Sequence, residues 1–273
     1  MKRFIEIIRP LNCLMASIGV LIGALAEVGL YGITYYLAPA ILGMTTAFLF
    51  IGAGNALNDY VDRETDKINH PDRPVPSGRM RPKTALLFSI ILFGVGAVTA
   101  SYINSLAFGI AMINAAALIA YEINLKRRGV VGNLNIGYLV ASIFLFGGAV
   151  VNSIEVSGIL ALLAFLATFG REVVKSIEDV EGDVDRRTLP KVVGKRNAGI
   201  VGSISFASAI VLSPLPYCLG IFGNWLYLAI VAAADVVFIY CIVILFKHPR
   251  QASKRAKLAM FVALIAFLIG GLS

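Results

Sequence analysis

The chain has 273 residues, of which 58% are hydrophobic and 15% charged, with a formal net charge of +8. A soluble domain carries about 25% charged residues, so this composition excludes an ordinary globular enzyme, and apolar runs that repeatedly reach the roughly 20 residues spanning a bilayer core make the protein polytopic. The positive balance requires no nucleic acid, because basic loops of a membrane protein meet anionic lipid head groups.

In chain order the apolar runs predict nine spans, at 11–29, 34–58, 83–101, 104–121, 132–152, 156–178, 197–219, 225–246 and 256–272. Dense Ala, Gly, Leu and Ile without polar alternation excludes a barrel, so the expected fold is all-α, one transmembrane domain over 1–273. All 24 Lys and Arg fall before Pro10 or within 63–83, 126–128, 171–196 and 247–257, while the connections near 30–33, 102–103, 152–156 and 218–224 hold none. By the positive-inside rule the basic loops are cytoplasmic, the C-terminus faces outside, and the protein sits in the cell membrane. The basic opening lacks a small-residue cleavage site, so no removable signal peptide is expected. Cys13, Cys218 and Cys241 lack metal-ligand spacing and read as packing residues. The long loops 59–82 and 179–196 each follow an even-numbered span, which suggests two related four-helix halves plus a final helix.

The loop after span two begins "NDYVDRETD", which places Asp59, Asp62 and Asp66 at i, i+3, i+7 along one helical stripe beside Asn58. The second long loop begins "KSIEDVEGD", with Asp179 and Asp183 at i, i+4 as span six emerges. Like charges gathered on one side of a helix repel, so such a stripe is either a solvated rim or a cation site. Hard oxygen ligands of this kind suit Mg²⁺, which keeps its waters and is shared with substrate phosphates. Arg63, Arg73, Lys126, Lys175 and Lys191 would then contact phosphate oxygens. Together these residue types describe a diphosphate receptor.

"NDYVDRETD" fits the NDxxDxxxD signature of the UbiA superfamily of intramembrane prenyltransferases, and "DVEGD" fits its second, DxxxD motif. The stretch "YEINLK", Tyr121 to Lys126, is similar to the family's Tyr and Lys element after span four. The resemblance extends from "IRPLN" through span nine. Within the superfamily, "HPDRPVPSGRM" and "GREVVKSIEDVEGDVDRRTLP" are most similar to the archaeal digeranylgeranylglyceryl phosphate synthase branch. The resemblance implies a nine-span fold whose cavity opens to the membrane and, at the aspartates, to the cytoplasm. The implied reaction is transfer of a geranylgeranyl group from its diphosphate to the hydroxyl of geranylgeranylglyceryl phosphate. Carried over by position, Asn58, Asp59, Asp62, Asp66, Asp179 and Asp183 would hold Mg²⁺ on the diphosphate, Lys126 would bind the leaving group, and Tyr121 would lie near it. Members commonly have Asp where this chain has Ser176, on the same stripe as Asp179 and Asp183. A hydroxyl there weakens the expected grip on metal.

An allylic diphosphate departs readily once its charge is neutralised, so the expected task is to clamp the leaving group and exclude water. The sequence does not identify the general base; Asp62 and Asp66 are candidates, although metal-bound carboxylates are poor bases and a weak base suffices against so reactive an electrophile. The acceptor phosphate requires further cations, from Arg73, Arg79 and Arg81 or from Arg186, Arg187 and Lys191. Asn12, after Arg9-Pro10, is a further diphosphate candidate. Arg171 and Glu172 read as cavity-facing, with a mutual or neighbouring ion pair as the plainer alternative, Asp235 as a paired or protonated mid-span acid, and His70 as no ligand. Gly109, Gly147-Gly148 and Gly270-Gly271 read as close-packing positions. Two alternatives stand beside this reading: a UbiA-type enzyme with an aromatic acceptor such as a quinone or 4-hydroxybenzoate, and an ion-coupled transporter with midplane acids.

Overall fold

The computed structural model describes residues 2–181 and 188–272, and within them the only regular structure is helical. The helices are α1 (Lys2–Ile8), α2 (Pro10–Gly32), α3 (Leu37–Val61), α4 (Arg63–Asn69), α5 (Pro82–Ser101) and α6 (Ser105–Ile123), followed by α7 (Val130–Val150), α8 (Glu155–Glu178), α9 (Leu189–Leu212), α10 (Leu215–Cys218), α11 (Trp225–Ile244) and α12 (Pro249–Gly271). Among the described residues seven segments are long and apolar enough to cross a bilayer. The first, Pro10–Val61, contains both α2 and α3, separated by a 3₁₀ turn at Ile33–Tyr36. The helix α12 has the length but starts seven residues before the expected span and carries Arg250, Lys254, Arg255 and Lys257, which keeps it outside that set.

Proline and asparagine set the helix starts. Pro10, Pro82, Pro190 and Pro249 occupy first-turn positions, where a missing N–H costs nothing. Asn104 accepts from Ala107 N at the start of α6, while its amide nitrogen donates to Ala149 O at the end of α7, 2.8 Å in each case. One side chain thus satisfies orphan groups on two helices.

The helices pack as a closed bundle: α2 lies against α3, α7, α8 and α12, α3 against α5, α6 and α7, and α8 against α7, α9 and α12. The helices α2 and α7, which lead the two halves suggested by sequence, approach at Gly23 and Gly147. A β-carbon on Gly23 would strike the Phe144 carbonyl, and one on Gly147 the Val20 carbonyl, so the backbones themselves are in contact. Gly270 likewise admits the Phe222 ring, but a β-carbon on Gly109 would meet nothing within 4 Å. Close packing therefore explains Gly147 and Gly270 and not Gly109. Leu87, Ile90 and Ile91 on α5 and Val236, Ile239 and Val243 on α11 point outward, as lipid-facing residues do.

The two ends of the bundle differ in chemistry. One carries the basic loops and acidic motifs. The other exposes Tyr31, Tyr35, Tyr102 and Trp225, the amphipathic rings that favour a membrane interface. At that end Glu27, in the last two turns of α2, accepts from Ser157 N and Ser153 Oγ, both at 2.8 Å. It caps α8 from a neighbouring helix. Asp235 is held by the Ser213 hydroxyl at 2.6 Å, the partner its mid-span position required.

Candidate active site

The first acidic motif forms where α3 leaves the bundle. Asp59 and Asn58 lie in its last turn, and the helix is interrupted at Asp62, whose φ of −90° and ψ of 9° end α3 and begin α4. Backbone bonds from Asp62 N to Asn58 O and from Asp66 N to Asp62 O, both 2.8 Å, carry the helical phase across the break. The expected stripe therefore exists, bent at its centre. Asp59 is 1% exposed and Asp66 is buried as well, so the solvated-rim reading does not fit them.

Each carboxylate meets a cation from a different segment. Arg9 Nη2 lies 2.6 Å from Asp59 Oδ1 and donates to Asn58 Oδ1 at 3.2 Å. Arg9 reaches them because it caps α2 with φ 52°, a left-handed conformation uncommon outside glycine, while Asn55 Nδ2 holds the preceding Ile8 carbonyl at 2.8 Å. Arg73 pairs with Asp66 and stands 3.9 Å from Asp59. Lys126, in the 3₁₀ turn Leu125–Arg127 after α6, is 2.7 Å from Asp62 Oδ1 and 3.1 Å from Glu122 Oε2. Four carboxylates (Asp59, Asp62, Asp66, Glu122) thus face three cations (Arg9, Arg73, Lys126), leaving the mouth one negative charge in excess.

Tertiary contacts seat the loop that brings Arg73. Ile7 of α1 packs with Val75, Met80 and Ala85, and Phe4 meets Phe88 edge-on with ring centroids 5.0 Å apart. Arg79 grips both oxygens of Glu6, at 2.6 and 2.7 Å, and Arg3 donates to the Arg79 carbonyl at 2.9 Å. The Arg79 guanidinium holds the Glu6 carboxyl below the usual carboxylate range. Arg79 is accordingly committed to α1, while Arg81 is exposed at the start of α5. Arg63 turns from the aspartates, donating to Tyr60 O, lying over the Tyr60 ring at 5.1 Å and standing 3.7 Å from Glu64 Oε1. Asn12 is exposed on the first turn of α2, and Tyr121 is half-buried beside Glu122.

The second motif emerges at the same end of the bundle, and α7 links the two. Lys126 immediately precedes α7, and Asn133 near its start donates to Ser176 Oγ at 3.1 Å; that hydroxyl donates in turn to Glu172 O at 2.9 Å. Ser176 is therefore a buried contact between helices. Asp179 ends α8 and opens a 3₁₀ turn, Asp179–Glu181, so the α-helical phase stops there. Asp183, Arg186 and Arg187 lie outside the described residues. Lys175 and Lys191 are exposed, on the last turn of α8 and the first of α9. Arg171 pairs with its neighbour Glu172, as expected. His70 is exposed at the end of α4.

Beneath the first motif lies an apolar cavity of about 220 Å³ between α2, α3, α6 and α7, lined by residues including Val20, Phe50, Ile51, Leu118, Ile136 and Phe146. Ile51, Asn55 and Asp59 follow at i, i+4, i+8 on α3, and Leu118 and Glu122 at i, i+4 on α6, so both helix faces lead from the cavity to the charged mouth. Asn114 on its wall accepts from the Tyr138 hydroxyl at 2.9 Å.

The donor chemistry fits Mg²⁺. Asn58, Asp59, Asp62, Asp66 and Glu122 offer only hard oxygens to a cation. Among the described residues no three acidic, His or Cys side chains are grouped closely enough to hold one ion. Arg9, Asn55 and Glu122 were missed by sequence reading. Glu122 and Lys126 at i, i+4, and the solitary Arg9 before Pro10, were the available signals.

Comparison with known proteins supplies the lineage. A digeranylgeranylglyceryl phosphate synthase of Methanosarcina mazei is 40% identical to this chain over 98% of each protein. A solved structure concerned with digeranylgeranylglyceryl phosphate synthase in membranes matches with a TM-score of 0.86 at 38% identity, covering 99% of this chain and 98% of that one. A UbiA homologue from Archaeoglobus fulgidus, solved bound to GPP and Mg²⁺, shares the fold at a TM-score of 0.71 and 14% identity over 98% of both chains. The UbiA prenyltransferase family matches residues 16–265. This all-helical, multi-pass membrane protein, with its bent aspartate stripe above an apolar cavity, belongs to the UbiA prenyltransferase family.

Proposed function

We propose that the protein transfers a geranylgeranyl group from geranylgeranyl diphosphate to the free hydroxyl of geranylgeranylglyceryl phosphate, forming the second ether bond of an archaeal membrane lipid. The choice of acceptor rests on full-length relatives of that name at about 40% identity, including the one from Methanosarcina mazei. The observation that carries the chemistry is the charged mouth carried on the same faces of α3 and α6 that line the apolar cavity. A prenyl diphosphate has the same division, a charged head and an apolar tail.

Asn58, Asp59, Asp62 and Asp66, with Asp179 and Asp183 from the second motif, are the residues we assign to Mg²⁺. When bound, Mg²⁺ supplies Lewis-acid neutralisation of the leaving diphosphate. Arg9, Arg73 and Lys126 lie among these carboxylates and take the diphosphate oxygens as charge-assisted donors. Cavity walls such as Phe50, Ile51, Leu118 and Phe146 keep the prenyl tail in apolar surroundings and exclude the water that would quench an allylic cation. The carbon–oxygen bond to diphosphate breaks, the acceptor hydroxyl adds to the allylic carbon, and its proton leaves to a carboxylate of the mouth or to water. In the cell membrane, with the basic loops cytoplasmic, the mouth faces the compartment that holds soluble diphosphates and Mg²⁺.

The test incubates purified protein with geranylgeranyl diphosphate, Mg²⁺ and either geranylgeranylglyceryl phosphate or 4-hydroxybenzoate, and identifies the product by mass. Product from the glyceryl phosphate acceptor is expected. Product only from the aromatic acceptor would overturn the assignment.

A further inference from the structure

We infer that Glu122 is a positioning residue of the diphosphate site, sharing Lys126 with Asp62 and fixing the Asn58 amide with its oxygen toward Asp59. The inference rests on the reading of the mouth given above. Glu122 falls outside the NDxxDxxxD and DxxxD patterns, yet its side chain is 10% exposed, an unusual setting for an acid without a task.

Its Oε2 accepts from Asn58 Nδ2 at 2.8 Å and from Lys126 Nζ at 3.1 Å. Asn58 Nδ2 also donates to Asp62 Oδ2 at 2.9 Å. An amide whose NH₂ is committed to two carboxylates must turn its oxygen the other way, and there Arg9 donates to Asn58 Oδ1 while holding Asp59 with the same nitrogen. Only in that orientation does Asn58 offer a hard oxygen beside Asp59, because an amide nitrogen has no lone pair for a cation.

Charge gives the second half of the argument. Lys126, 7% exposed at its side chain, lies between Asp62 and Glu122. Two carboxylates sharing one ammonium leave Asp62 with uncancelled negative charge. Were Glu122 neutral, Lys126 would pair with Asp62 alone, and the Asp62 carboxylate would be less available to a divalent ion. Glu122 thus keeps Asp62 ready for metal, without touching substrate.

The test measures binding of a non-reacting geranylgeranyl thiolodiphosphate by the full-length protein in lipid nanodiscs, across a Mg²⁺ titration, with Tm recorded in parallel. Glu122→Gln is expected to weaken analogue binding and raise the Mg²⁺ half-saturation by about tenfold, the scale of one lost charge-assisted hydrogen bond. Glu122→Asp, which retains the charge, should recover part of the loss and keeps the test open if the Gln variant does not fold. In a Lys126→Ala background the Glu122→Gln effect should shrink markedly, because groups that act through one another are not additive. A lowered Tm with unchanged binding, or losses that simply add, would overturn the inference. A wild-type protein that fails to bind the analogue would instead overturn the diphosphate reading itself.

Discussion

Two acid sites occupy opposite ends of the bundle and are satisfied in opposite ways. Glu27 is held by neutral donors, one a backbone N–H in the first turn of α8, so its charge complements a helix terminus. Asp59, Asp62 and Asp66 are held by long side chains from three other segments, namely Arg9, Lys126 and Arg73. A carboxylate pinned by backbone cannot release its partner without fraying a helix. Guanidinium and ammonium groups on flexible stems can swing between carboxylate and phosphate. On the proposed function, the contrast separates an acid that holds the fold from acids arranged for exchange of partners.

The comparison is broken most directly at Asp59. Asp59→Asn should reduce turnover by about 10²–10³-fold, the range seen when one preorganised electrostatic contact is lost, with Tm little changed; steady-state kinetics beside a thermal scan checks this. Glu27→Gln should do the reverse, lowering stability by about 1–2 kcal/mol as a lost helix cap does, with kcat within about twofold of wild type. If Glu27→Gln instead removed activity at unchanged Tm, the distinction would fail.

Two smaller effects sharpen it. The Glu6 carboxyl is held below its usual range by Arg79, so the pair's contribution is fully present above the unfolded-state pKa and is lost as pH falls through the lower folded-state value. The Tm difference between wild type and Glu6→Gln should therefore persist at neutral pH and vanish on acidification. Surface pairs contribute little, so this difference is small at any pH. Ser176→Asp places a carboxylate on the second stripe, within reach of Asn133, and should lower the Mg²⁺ half-saturation by about two- to threefold; an unchanged Mg²⁺ titration would assign Ser176 to helix packing alone.

Local periodicity made the helical class and the Asn58, Asp59, Asp62, Asp66 stripe legible, because hydrophobic runs and i, i+3, i+7 spacing are properties of neighbouring residues. Lys126 was legible too, through the Tyr and Lys element it completes. Partner choice was not. Arg63 sits beside the stripe in sequence yet turns back onto Tyr60, whereas Arg9 arrives from fifty residues away because a left-handed residue redirects the chain at the start of α2. Arg79 looked like a phosphate ligand and is taken by Glu6, a pairing that exists only once α1 lies against the loop. Glu27 carries no local mark of its task, since the helix it caps starts more than a hundred residues later. Such contacts are set by tertiary packing.

The central claim, that the two acidic motifs serve one diphosphate through divalent ions, is tested most directly by locating the ions. Crystals of the full-length protein grown with Mn²⁺ and a geranylgeranyl thiolodiphosphate should give anomalous peaks bridging the analogue's phosphates to Asp59, Asp62 or Asp66 on one side and to Asp179 or Asp183 on the other. Peaks that touch neither motif, or analogue density at the Tyr31 and Trp225 end of the bundle, would contradict it.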